Sequence, residues 1–319
     1  MTDDEIDQIV DCLPRGKTVF HYFADRYAVL LLGRLMREPT RVADLKRSAL
    51  DRLLRRPVVA ELLSRCADGV IDPNLFDYAW AEPAEPYLLS LDRWGEEGTR
   101  LSRDNYHQTS RPGLNLVLQL NTTSRHDRPC GRWIAPEDEH PFVFTAHPVA
   151  KERTTLAWAR LDVDLDGGEA LIEEIQSDWV REAQYVRRAL DTCGSDAERR
   201  EYLRAWCASI SLEGFRRYAA TVLPFHARHW AEAMLTAAIW FLRDELGVRR
   251  VYFHTYEGGN RLKGLAAWLA PPRSLYTDLP RRFCFEQTTE PPRLLERCSD
   301  WRVRMAMRSR QIAFFRLLL

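Results

Sequence analysis

Residues 156–176 constrain the fold more than any other stretch of this chain. Leu156–Val163 and Ala170–Gln176 are two β-like runs separated by the turn-forming triplet Asp166-Gly167-Gly168, and together they read as a hairpin. Leu114–Leu120 alternates in the same period and predicts another strand upstream. Helical spacing dominates elsewhere. Ile6, Ile9 and Val10, then Phe20, Phe23, Tyr27, Leu30, Leu31 and Leu35, recur at helix intervals up to Pro39, and the helical pattern runs on to about Leu63. Residues 67–105, with Pro73, Pro83, Pro86 and the GEEG of 95–98, predict an irregular connector with one short helix around Pro86–Trp94. Glu182–Leu190, Ala197–Thr221 and His226–Leu246 predict helices, the last stopped by Gly247 ahead of a strand at Val248–His254. The expected fold class is therefore α+β. A helical region, 1–105, precedes an α+β domain, 106–319, built on a mainly antiparallel sheet with packed helices. The segment Pro271–Leu319 carries no assignable pattern.

Composition narrows the class of function. Lys+Arg and Asp+Glu both number 46 in 319 residues, so no global field draws the chain to nucleic acid or to an anionic membrane. The longest apolar stretches, Tyr27–Leu32 and Ile312–Leu319, are far shorter than the ~20 residues of a bilayer span. Seven scattered cysteines with no C-x-x-C pair argue against a disulfide framework or a zinc ribbon, and with the acidic start MTDDEIDQIVDC they predict a cytoplasmic protein with reduced thiols.

Several motifs offer chemistry. Asp162, Asp164, Asp166, Gly167 and Glu173 have EF-hand spacing, but Glu169 stands where that loop needs an apolar residue and the flanks are β-like, so the run predicts an acidic hairpin turn. Arg15-Gly16-Lys17-Thr18 echoes the end of a phosphate-binding loop without its first glycine. His226 and His229, three apart at a helix start, share a face and could hold a metal, although spacing fixes no acidic ligand beside them. The cofactor and metal expectation is therefore open.

The most unusual segment is Leu171–Trp179. As a strand, it sends Leu171, Glu173 and Ile175 to one face and Ile172, Glu174, Gln176 and Asp178 to the other. A row of three polar groups on one face is costly to bury unendowed with partners, and suits acid–base or metal chemistry. The plainer alternative is a half-exposed strand whose Asp178 caps the next helix.

IEEIQSDW (172–179) resembles the signature of an uncharacterised domain found in large polyvalent proteins of phages and mobile elements. Matching features run in order over about 115–262: NLVLQLN (115–121), His147 ahead of LAWAR (156–160), the DGG turn (166–168), Pro224-Phe225, Trp230 with Glu232, and Thr255 with Glu257. The chain departs from that pattern at His229-Trp230-Ala231-Glu232, where the domain reads Trp-His-Glu, and at Gly258-Gly259, where it has a Gln pair. The resemblance implies a site and a mobile-element setting, and names no reaction. The matching polar positions are His147, Glu173, Glu174, Gln176, Asp178 and Glu257, on separate elements, as catalytic groups often are.

Two functions follow as expectations. One is an intracellular enzyme of the hydrolase or transferase kind, metal-assisted or not: Glu174 or Asp178 is general base or metal ligand, His147 an acid–base group or ligand, Gln176 a substrate-orienting group, and Glu257 and Arg261 complete the pocket. The other is a non-catalytic interaction module with a protein partner, phage- or effector-derived, in which the motif braces the fold.

Overall fold

A computed structural model describes the chain except residues 12, 14–17, 67, 96–107, 135–140, 152, 266–270 and 309–311. Ten strands are present among the described residues: β1 (Thr18–Phe23), β2 (Thr40–Arg41), β3 (Val70–Ile71), β4 (Ala84–Trp94), β5 (Asn115–Asn121), β6 (Thr155–Asp164), β7 (Glu169–Gln176), β8 (Arg250–His254), β9 (Glu286–Thr288) and β10 (Phe314–Leu318). Eight of them form one sheet in the order β1-β4-β5-β6-β7-β8-β10-β9, while β2 and β3 pair separately. Every neighbouring pair in the large sheet is antiparallel except β7 and β8. Among the described residues no helix is long and apolar enough to cross a membrane.

The predicted α+β class holds, and β6 and β7 form the expected hairpin, in which the Asp164 carboxylate accepts from the Gly167 amide at 2.8 Å. The acidic run is thus a turn. Asp162 of the same run is taken by Arg111 through two bonds of 2.5 and 2.7 Å.

The boundary expected near residue 105 is crossed by the sheet. Phe20 and Phe23 belong to β1, where burial alternates from an exposed Val19 to a buried Phe20 and an exposed His21 to a buried Tyr22. Six residues rich in aromatic and β-branched side chains favour the pleated surface once β4 is there to pair with. The helix expected at Pro86–Trp94 is all of β4 but its first two residues. Pro86 stands opposite His21 of β1 and lies two residues before β4 begins to pair with β5 at Leu88, so its missing N–H removes no bond to β5. The unassigned segment 271–319 supplies β9 and β10, the latter seated between β8 and β9.

Directly opposed residues of an antiparallel pair share a face, so the register sorts the sheet. Ala157, Ala159, Leu161, Ile172 and Ile175 lie on one side, in the main core, and the helix Leu223–Trp240 packs against β5–β7 there. The other side carries Ser90, Asp92, Trp94, Gln119, Trp158, Arg160, Asp162, Glu174 and Gln176, an array of mostly polar groups. Much of it is buried. At its β8 end, Leu171 and Tyr252 join a smaller apolar cluster with Leu294, Leu295, Val303 and Phe314.

The helix Asp178–Thr192 starts straight after β7, and Ser177 caps it: its hydroxyl accepts from the Val180 amide at 3.1 Å and donates to the Leu156 carbonyl at 2.5 Å. The cap expected at Asp178 is therefore one residue earlier, which frees the Asp178 carboxylate for other partners. Ser177→Ala should destabilise the protein by about 1–2 kcal/mol in urea unfolding, since it removes both bonds at a buried position. A loss below about 0.3 kcal/mol would remove the hydroxyl from this role.

Candidate functional site

Three of the residues singled out by the sequence meet at the carboxyl end of β7. His147, in the loop before β6, places Nδ1 2.8 Å from Asp178 Oδ2. The Gln176 amide donates to Asp178 Oδ1 at 2.5 Å, and Trp158 Nε1 donates to Oδ2 at 3.3 Å. Arg181, one turn on, reaches Oδ1 at 2.8 Å. Asp178 is 4% exposed and His147 25% exposed in their side chains, so the carboxylate is buried behind an accessible imidazole. Burial raises the Asp178 pKa, but the bond and charge of His147, the Arg181 charge and the Gln176 amide outweigh it and hold the carboxyl below its ordinary range.

These contacts also settle the imidazole tautomer. An ionised Asp178 only accepts, so Nδ1 carries a proton and donates to it. The Gln176 nitrogen, 3.1 Å from Nδ1, then faces another donor and gives its hydrogen to Asp178. Nε2 has no hydrogen-bond partner among the described residues. A neutral imidazole with Nδ1–H on a carboxylate and a free Nε2 is a general base, and its protonated form a general acid. Phe144, Trp158 and Trp94 surround the ring, with centroids 4.6, 5.6 and 6.4 Å away and planes tilted 71–75°.

Glu174 shares this face with Gln176, as expected, and pairs with the buried Arg160, which also lies 5.6 Å from the Trp94 ring centroid. Glu173 was expected on the opposite face, and is not. The ladder between β6 and β7 slips between Arg160 and Leu161: Arg160 opposes Glu174, Leu161 opposes Ile172, and Glu173 is the extra residue of a bulge. The alternation holds on each side of it and fails across it. Leu171 consequently shares the polar side with Glu174 and Gln176, and Ile172 the apolar side with Ile175.

The bulge turns Glu173 into a sealed ionic cluster. Its carboxylate accepts from the Ser110 amide at 3.0 Å and the Ser110 hydroxyl at 2.7 Å, lies 3.1 Å from His254 Nε2 and 3.3 Å from Lys263 Nζ, and is wholly buried. Lys263 also donates to the Glu173 carbonyl at 2.7 Å. Burial raises the Glu173 pKa, yet Lys263, then His254 and Arg160, drive it far below the ordinary carboxylate range. Burial pushes Lys263 and His254 down. Ser110, His254 and Glu173 resemble a hydrolytic triad only in composition. Serine and carboxylate share one imidazole nitrogen, Nε2, where a relay needs them on opposite nitrogens. The cavity between this cluster and Glu174 holds about 20 Å³, room for a water or two and for no organic substrate.

Glu257 and Arg261 do not join His147. Both sit on the helix Tyr256–Lys263, which follows β8, and Glu257 is an exposed partner of Arg273. Gly258 and Gly259 let that helix pack closely: a Cβ on Gly259 would lie 3.0 Å from His254 Cβ, and one on Gly258 2.6 Å from the Ala313 carbonyl oxygen. His226 and His229 are buried apart from this site, the first on Tyr87 at 3.0 Å and the second beside Glu232 at 3.7 Å. Among the described residues no three His, Cys, Asp or Glu side chains are placed to hold a metal together. The loop-like Arg15-Gly16-Lys17 lies outside the described residues, and Thr18 opens β1.

Sequence reasoning missed Trp94, Trp158, Arg160, Arg181 and Ser110. Trp158, Arg160 and Asp162 alternate with Ala159 and Leu161 in β6, a period-two polar pattern inside an apolar run that marks a functionalised face. Ser110 left no such signal. No family model, curated protein or solved structure matches this chain.

Proposed function

We propose that the chain is an acid–base enzyme, a hydrolase or group transferase, in which His147 Nε2 moves the proton. One observation carries this reading: a partly exposed imidazole with its inner nitrogen fixed on a buried carboxylate and its outer nitrogen without a hydrogen-bond partner among the described residues. Asp178 fixes the tautomer and stabilises the imidazolium formed on proton uptake, Gln176 and Trp158 hold Asp178 in place, and Arg160 with Glu174 builds the neighbouring wall. The resemblance of IEEIQSDW to the phage and mobile-element domain supports the location, because His147, Gln176 and Asp178 are among its matching positions.

The test is a panel of chromogenic ester, phosphoester, glycoside and amide substrates run with the parent protein and His147→Gln. Turnover found with the parent should fall about 10²–10⁴-fold in the variant at unchanged melting temperature. Turnover that survives His147→Gln would place the chemistry elsewhere.

The scant room beside Glu174 favours a second reading, a non-catalytic interaction module in which the same contacts brace the loop carrying His147. On that reading His147→Gln loosens the loop, seen as faster amide exchange, and no substrate of the panel is turned over.

A further inference from the structure

Of the rings around His147, Phe144 is the one turned outward, 50% exposed, while Trp158 is 3% exposed and Trp94 has the Arg160 guanidinium near its ring. A half-exposed phenylalanine beside an accessible imidazole offers a flat apolar surface to a flat partner. A cationic donor stands beside it. Arg181 and His147 grip the two oxygens of one carboxylate, so the guanidinium and the imidazole are held side by side. Arg181 is half exposed, and its contacts with Asp178 and Glu182 leave other N–H groups of its five free for a ligand. Lys151 and Arg153, on the same loop as His147, are also exposed.

Resting on the acid–base reading of His147, we infer that the ligand of this site pairs a planar aromatic ring with an anionic group, as a nucleotide does: the ring stacks on Phe144 and the anion meets Arg181. Stacking on an exposed ring is tolerant of base identity, since every base has a π face, whereas the fork of Arg181 favours a phosphate or carboxylate over a neutral group. The two demands are separable, which makes the inference testable piece by piece.

The probes are AMP, adenosine and ribose 5-phosphate, followed by saturation-transfer NMR and titration calorimetry. AMP should bind saturably, adenosine more weakly, and ribose 5-phosphate not at all. Phe144→Ala should weaken AMP about tenfold or more, and Phe144→Tyr, which keeps a ring, should restore it. Arg181→Gln should weaken AMP but leave adenosine unchanged, and added salt should do the same. An oligoadenylate that binds more tightly than AMP would assign the same chemistry to single-stranded nucleic acid instead of a free nucleotide. Failure of AMP, GMP and UMP to saturate by about 10 mM overturns the inference, as does equal binding of AMP and ribose 5-phosphate, or AMP affinity indifferent to Phe144→Ala. Binding decides this inference and turnover decides the acid–base reading. AMP bound with no His147-dependent chemistry would sink only the latter, and His147-dependent turnover without AMP binding only the former.

Discussion

Glu173→Gln is expected to cost the fold about 3–5 kcal/mol, the largest stability effect of any single change discussed, because it strips the counter-charge from a buried ammonium. Lys263 cannot swing out to bulk solvent: it is buried and donates to the backbone of the residue being changed. Urea unfolding at neutral pH measures this directly. A second variant separates charge from shape. Glu173→Gln combined with Lys263→Met removes both ends of the pair, and should recover a good part of the loss, as replacing whole buried ion pairs often does. A loss below about 1 kcal/mol for Glu173→Gln alone would show the cluster to be wetter than it is here.

The same residue sets an acid limit on stability. Its folded-state pKa is depressed below the unfolded value of about 4.3, so its contribution is complete above that value and is lost as pH falls through it toward the folded pKa. Asp178 is depressed too and acts in the same direction. Stability should therefore decline below about pH 4.5, and the decline should be shallower in Glu173→Gln, which has already lost the larger part of it.

Asp178→Asn should lower any His147-dependent turnover by about 10²–10⁴-fold. The replacement keeps the shape, yet an asparagine facing Nδ1 with its NH₂ favours the tautomer with the hydrogen on Nε2, blocking the nitrogen that must accept a proton. Even with its oxygen facing Nδ1, it no longer stabilises an imidazolium. Because Trp158, Gln176 and Arg181 also use this carboxylate, a stability loss of about 1–3 kcal/mol accompanies the kinetic one. The kinetic defect should persist at temperatures where the variant remains fully folded. Activity within about threefold of the parent would exclude the dyad from the chemistry.

What could be read in advance follows from how local each signal is. The β6–β7 hairpin was legible because the turn chemistry and both runs are contiguous. Gln176 and Asp178 could be grouped because they fall in one polar row of the strand alternation, whereas His147 was singled out only by the resemblance. β1 and β4 were not legible, since Thr18–Phe23 has an aromatic spacing that fits a helix as readily as a strand, and only pairing between residues more than 60 positions apart decides the matter. Glu257 and Arg261 were misplaced for a related reason. Thr255 caps a helix there, with its hydroxyl accepting from the Gly258 amide at 3.1 Å, and the helix carries Glu257 and Arg261 away from the strand. The side of the sheet taken by Glu173 depends on a slip in register that leaves no trace in composition.

That slip has an implication for how the two halves of the region can vary. Ile172 and Glu174 would alternate normally if they were adjacent, so a chain lacking residue 173 could run an unbroken ladder along β6 with every other side chain on its present side. Glu173 is, in effect, a one-residue insertion that adds an ionic anchor without re-aiming Glu174, Gln176 or Asp178. The anchor and the dyad are then separate modules on one strand. A lineage could gain, lose or recharge the buried cluster with Lys263 and His254 while the imidazole at the strand's end kept its partner. Conversely, the dyad could be rebuilt for other chemistry on a strand whose middle is already held fast.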